Sequence, residues 1–341
     1  MEEIAARLEV SVSTVSRALR NAPRIRESLR KRVCETAETM GYRPNPLVSA
    51  LMASRRRRGG GGEVDTVALV THYGGRQDWR TKDVCRWEFS GIQQRAAALG
   101  FRLEVFPLGA YQGSMERLTA TLRARGIRGV LLGFSREEGG LPPFPSDGFA
   151  VAGLSAYFHN TPVDRSNFHA FFNVQLALNE MRRRGYRRPA LAVPELNNRI
   201  SNNHWSGAFL DWQRGVPKKD RCEPFICAGE LEASAFSDWL YRNNPDALLF
   251  YKLPLRGLLA KKGIVAPEDI GLACLYRTEE EIKTLAGIDG NLAAVGAAAF
   301  DLVVERLNNN YSGLPGQPKE VLIKGQWRNG DSLSPKLLCP A

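Results

Sequence analysis

Residues 55–62 read Arg-Arg-Arg-Arg-Gly-Gly-Gly-Gly, and no packed element can be built from them. Four adjacent like charges repel, and four glycines maximise the backbone freedom that folding would have to remove. The 341-residue chain is therefore divided into a short leading segment and a much longer body. That length fits a small head plus two medium domains, because single cores stop growing near about 250–300 residues. With 43% hydrophobic residues and no apolar run approaching a membrane span, the composition is that of a soluble globular protein.

In the leading segment, Ile4, Ala5 and Leu8 form one apolar stripe, and Val15, Ala18 and Leu19 form another, both at helical spacing. Glu9-Val10-Ser11 leaves room only for a sharp corner, and Ser11 is a good N-cap for the second helix. This predicts a helix-turn-helix whose second helix can enter a major groove; an ordinary helical hairpin is the competing reading. A third helix is expected over 26–40, with Leu29, Val33, Ala37 and Met40 on one face and Gly41 as its stop. Residues 1–62 hold 13 Arg or Lys against 6 acidic residues, so the segment carries +7 of the chain's +11. Charge concentrated on one small unit is the footprint of phosphate binding, set against the blander reading of a solvated basic face.

The body alternates. Strands are expected at 67–70, 101–106, 129–134, 151–154, 190–193, 247–251, 270–275 and 320–323. Helices are expected over 83–99, 114–125, 168–184, 203–213, 233–242, 254–262 and 291–308. The pattern predicts an α/β body of parallel sheets with helices on both faces, in two domains, with ligands beyond the strand C-termini. Six cysteines (Cys34, Cys85, Cys222, Cys227, Cys274, Cys339) form no CxxC pair, which points to reduced thiols without a disulfide framework or zinc site. The four histidines (His72, His159, His169, His204) share no motif. Nucleophile elbow, phosphate loop and paired catalytic carboxylates are all missing, so neither an enzyme nor a cofactor is expected. The N-terminus is charged and amphipathic rather than an apolar signal, which places the chain in the cytoplasm with no membrane partner.

EIAARLEVSVSTVSRALRN, followed about thirty residues on by Gly41-Tyr42-Arg43-Pro44-Asn45, resembles the head of the lactose-repressor (LacI/GalR) family of bacterial transcription regulators. Pro46–Ala53 falls on that family's hinge helix. The body resembles its periplasmic-binding-protein-like core over 66–330, through helix 168–184 ending at Gly185, Pro267-Glu268-Asp269-Ile270-Gly271 leading into a strand, and helix 291–308. The resemblance implies an all-α helix-turn-helix head (1–45), a hinge helix and linker (46–63), and a two-subdomain α/β core. One subdomain would comprise 64–165 plus 289–316 and the other 166–288 plus 317–335. It implies a homodimeric repressor on a palindromic operator, with hinge helices paired in the minor groove. Val12, Ser13 and Arg17 then fall where bases are read. Arg17 supplies a two-pronged donor for a guanine edge, Val12 an apolar contact and Ser13 a hydroxyl. Ser11, Thr14, Ser16 and Arg20 are expected on phosphates, with local capping as the alternative for Thr14 and Ser16. Leu51 matches the leucine wedged between base pairs, and Arg55–Arg58 would add phosphate contacts or serve only as a tether.

Some positions depart from the family. The resemblance starts a few residues into the usual head, leaving upstream phosphate contacts open. Glu9 stands where the turn usually has glycine or asparagine, an expected strain of about 1 kcal/mol. Arg26 stands where a hydroxyl residue usually caps the third helix. The family's sugars are clamped by an arginine and two aspartates, but the matching positions here read His204, Tyr276-Arg277 and Tyr251-Lys252. That reversal of charge points to an anionic ligand such as a sugar acid or phosphate on Lys252, Arg277 and His204. Tyr73, Trp79, Trp87 and Trp205 would offer stacking faces, and Tyr276 completes the expected lining. The other readings are that these residues only pack and the cleft has lost its ligand, or that the chain is a cytoplasmic sensor whose head has decayed.

Overall fold

The computed structural model describes residues 2–19, 25–40, 65–72, 79–135, 141–154, 162–277 and 284–336. The hinge segment and the arginine–glycine run, with Arg20, Leu51 and Tyr73, lie outside them. The head comprises α1 (Glu2–Leu8), α2 (Val12–Leu19) and α3 (Glu27–Thr39). Ile4, Ala5, Val15, Ala18, Val33 and Ala37 meet in its core, so the two predicted stripes and the third helix's apolar face pack against one another.

The body holds two six-stranded sheets. The first runs in the order β11 (Glu320–Ile323), β5 (Asp164–Phe168), β4 (Ala150–Leu154), β3 (Gly129–Gly133), β1 (Thr66–Thr71), β2 (Arg102–Pro107), every neighbouring pair parallel. The second runs β12 (Gln326–Arg328), β10 (Ala286–Asp289), β9 (Gly271–Cys274), β8 (Ala247–Phe250), β6 (Pro189–Pro194), β7 (Phe225–Cys227). Only β12 is antiparallel to its neighbour there. Strands such as β3 (GVLLG) and β8 (ALLF) are buried at every residue, which is why they read as unbroken apolar runs.

Helices cover both faces. On the first sheet, α4 (Asp83–Ala98) and the long helix Leu292–Asn308 pack over Val67 and Leu69, while α5 (Met115–Ala124) covers Ala68 and Val70. On the second, α6 (Ala170–Arg183) and α8 (His204–Gln213) pack over Leu191 and Val193, with the short α7 (Glu195–Ile200) leading into α8. α9 (Ala233–Asn243) and α10 (Leu255–Ala260) cover Ala190 and Leu248, and the helix Leu292–Asn308 completes the order as α11.

The chain passes between the sheets three times, from β5 to α6, from β10 to α11 and from β11 to β12. Two of the expected subdomain boundaries therefore move. β5 and β11 pair with each other in the first sheet, so the crossings fall after Phe168 and after Ile323, not at 165/166 and 316/317. The physical reason is a buried ion pair. Arg306 of α11 donates through Nη1 to Asp164 Oδ2 at 3.0 Å, and Asp164 Oδ1 accepts from the Lys319 amide just before β11. Close helix packing completes this subdomain. A Cβ on Gly91 of α4 would lie 1.8 Å from the Ala293 carbonyl oxygen, and one on Gly296 of α11 would lie 2.0 Å from that of Glu88.

Candidate DNA-reading head and interdomain cavity

The corner between α1 and α2 is a Schellman turn. The Val10 amide donates to the Ala5 carbonyl, the Glu9 amide to the Ala6 carbonyl, and Glu9 takes φ 53°. The expected left-handed position at Glu9 is thus present, without glycine to relieve it. Ser11 then caps α2: its hydroxyl accepts from the Thr14 amide at 3.1 Å and bonds the Thr14 and Ser13 hydroxyls at 2.8 and 3.0 Å. Ser11 and Thr14 therefore hold the first turn in place.

That turn points its chemistry outward. Val12 is 40% exposed, beside exposed Ser13 and Arg17, and Arg17 Nε reaches back to the Ser13 carbonyl at 3.4 Å. The contact lays the arginine stem back along the helix, on its exposed side. Ser16 lies within α2.

Between the two sheets, a cavity of about 280 Å³ opens beside the crossings. It is lined by Trp87 and Ser90 of α4, Tyr276 and Arg277 beyond β9, and residues 288–293 at the start of α11. Three of the eight expected ligand residues, Trp87, Tyr276 and Arg277, thus come together. Four of the others go elsewhere, and Tyr73 lies outside the described residues. Trp79 is buried in the first core, stacked on Phe134 at 4.6 Å, and Trp205 is buried in the second, 5.0 Å from the Tyr251 ring. Exposed Lys252 lies over Tyr251, and its charge reaches across to Cys85 of α4. The Cys85 thiol is nevertheless pushed up to about 12, by burial first and then by Glu88. Exposed His204 faces His169 and Glu320 electrostatically.

Tyr276 is the pivot of this region. Its ring lies 4.8 Å from Phe168 and 5.7 Å from Tyr251, and burial holds its phenol well above the usual range. Asn173 donates to its hydroxyl at 3.1 Å while accepting from the Gly325 amide at 2.9 Å, so one buried amide joins Tyr276 to the third crossing. Gly290 is required beneath the ring, because a Cβ there would fall 2.5 Å from Tyr276 Cε1.

Comparison with known proteins bears first on the head. Residues 1–45 match the bacterial regulatory proteins of the lacI family. The chain carries a lacI-family head. Catabolite control protein A of Priestia megaterium is 40% identical over 68 residues, a stretch that spans 20% of this chain and 20% of that relative's length. Behind the lacI-family head, the body has the fold of known regulators. The transcriptional regulator CelR–cellobiose complex superposes with a TM-score of 0.55 at 17% identity, covering 96% of this chain and 98% of that one. The lac repressor dimer bound to operator and the anti-inducer ONPF gives 0.54 at 16%, covering 97% and 98%. At such identities the likeness is one of fold.

Several groups around the core's cavity were missed by sequence reasoning. Asn173 lies on the buried face of α6 among Val174, Ala177 and Leu178, and an amide on an apolar helix face was its available signal. Asp289 gave no signal, because β10 (AGID) has no alternating or sustained apolar pattern.

Proposed function

We propose that this chain is a ligand-responsive DNA-binding transcription regulator, a repressor that binds a palindromic operator as a homodimer in the cytoplasm. The observation that carries the reading is the first turn of α2. It is fixed by the Ser11 cap and presents Val12, Ser13 and Arg17 on the surface of a lacI-family head with a fully formed core. In this reading Arg17 reads a guanine edge, while Ser11, Thr14, Ser16 and Arg20 set register on phosphates. Leu51 is the minor-groove wedge, its short segment ordering on DNA because so few residues cannot nucleate a helix alone. The two-sheet body supplies the ligand response through the three crossings, a reading supported by its shared fold with a regulator in complex with cellobiose.

Selection from a random double-stranded DNA pool with the full chain, followed by sedimentation of the complex, tests this. The expected result is an inverted-repeat sequence bound by two copies. Recovery of no enriched sequence, with intact ligand binding, would favour instead a small-molecule sensor whose head no longer reads DNA.

A further inference from the structure

We propose that the cavity at the crossings binds a small aromatic carboxylate, held by Arg277 and the first turn of α11. This rests on the reading of the chain as a ligand-responsive regulator and names its ligand class. Arg277 is 8% exposed and lines the cavity, with Nη1 donating to the Leu285 carbonyl at 3.2 Å, so the guanidinium is held in place within the wall. A buried guanidinium presents a planar fork that matches a carboxylate.

The start of α11 adds to it. Its N-cap, Asn291, sits at φ 51° and makes no side-chain capping bond. The Leu292 and Ala293 amides lie in the first turn, where a helix offers no internal acceptor, and both residues line the cavity. Asp289 brings a negative charge to the same wall, but it is already engaged. Its Oδ1 accepts from the Asn291 amide at 3.1 Å and its Oδ2 lies 3.4 Å from Arg328 Nη2.

The remaining wall selects the rest of the ligand. The Trp87 and Tyr276 rings, Ile288 and Leu292 form an apolar face, with the Ser90 hydroxyl and the Asn291 side chain as further polar groups. A neutral sugar carries hydroxyls all round its ring, and those set against the Trp87, Ile288 and Leu292 face would be left without hydrogen-bond partners. At about 280 Å³ the cavity has room for roughly ten non-hydrogen atoms, taking the volume of a water molecule as the unit. A benzene ring bearing one carboxylate fits that space and that chemistry. The lining comes from elements packed on both sheets, so an occupant touches α4, the end of β9 and the β10–α11 crossing together.

Calorimetric titration of the full chain with benzoate, benzamide and glucose tests the proposal. Benzoate is expected to bind at least tenfold more tightly than benzamide, with glucose silent, because only the anion uses Arg277 and the α11 amides. Arg277→Gln should weaken benzoate at least tenfold and bring it level with benzamide. Ser90→Leu fills the cavity from α4, leaves every charge in place and should block both; circular dichroism checks that each variant folds. Equal affinity of benzoate and benzamide, no binding by benzoate, or glucose binding in its place overturns the assignment, as does a folded Arg277→Gln chain with unchanged benzoate affinity. The DNA selection is read on unliganded protein, so a failed regulator reading shows there and not in the calorimeter.

Discussion

Removing Asp164 should unseat more of this molecule than any surface charge. Its side chain and that of Arg306 are 8% and 6% exposed, and they meet at 3.0 Å. At an effective dielectric near 20, two unit charges at that distance attract by about 5.5 kcal/mol, most of which offsets the cost of desolvating both. The net worth of the pair is small, but breaking it is not. Asp164→Ala leaves the Arg306 guanidinium buried with the Gly313 carbonyl as its remaining charge-free partner, and it also frees the Lys319 amide. The expected loss is about 3–5 kcal/mol. Taking about 2–4 °C per kcal/mol for a unit of this size, the first subdomain should melt roughly 6–20 °C lower. Arg306→Met should cost a similar amount. The double variant Asp164→Ala with Arg306→Met should recover most of the loss, because no buried charge is then left without its partner. Differential scanning calorimetry of the four proteins closes the cycle. A single-variant loss below about 1 kcal/mol, or losses that add in the double variant, would refute the account of a coupled buried pair.

Arg17→Ala should abolish discrimination among DNA sequences and leave weak, salt-sensitive binding, measured by fluorescence anisotropy at two salt concentrations. Glu9→Gly should stabilise the head by about 1 kcal/mol, since Glu9 holds φ 53° and places an acid at the C-terminal end of α1; slower amide exchange in α1 and α2 is the readout. Burial and then Lys324 lower the His169 pKa, and its Nδ1 accepts from the Phe172 amide. The neutral form therefore caps α6, and this contribution is complete above the ordinary value of about 6.5 and is lost as pH falls below it. His169→Asn keeps an acceptor and should flatten the pH dependence of exchange in the first turn of α6. Gly296→Ala forces the Glu88 carbonyl away and should destabilise the α4–α11 contact by about 1–3 kcal/mol in urea unfolding.

The head was legible from residue order because its information is local. Ser11 as cap, the corner at Glu9 and the stripes of α1 and α2 involve neighbours within a few positions, and the structure places each where the spacing predicted. The buried parallel strands were equally legible, since β1, β3, β6 and β8 must be apolar on both faces. β5 was not. Asp164-Arg-Ser-Asn-Phe looks like a loop, and it becomes a central strand only because Arg306 and Glu320, more than 140 positions away, neutralise Asp164 and Arg165. Short strands such as β7, β10 and β12 failed for a related reason, being too brief to show a period.

The candidate ligand residues divide along the same line. Family position for Lys252 and Arg277, and residue type for Trp79 and Trp205, marked them as one set, because aromatic faces and cations suit an anionic ligand. Burial separates them: two tryptophans fill opposite cores, Lys252 remains on the surface, and Arg277 joins Trp87 and Tyr276 at the cavity. Local spacing was enough to specify a helix-turn-helix and the α/β class, since each depends on contacts a few residues apart. Where the subdomains divide, and which side chains share a cavity, was settled only by segments distant in the chain, brought together by two sheets whose strands cross three times.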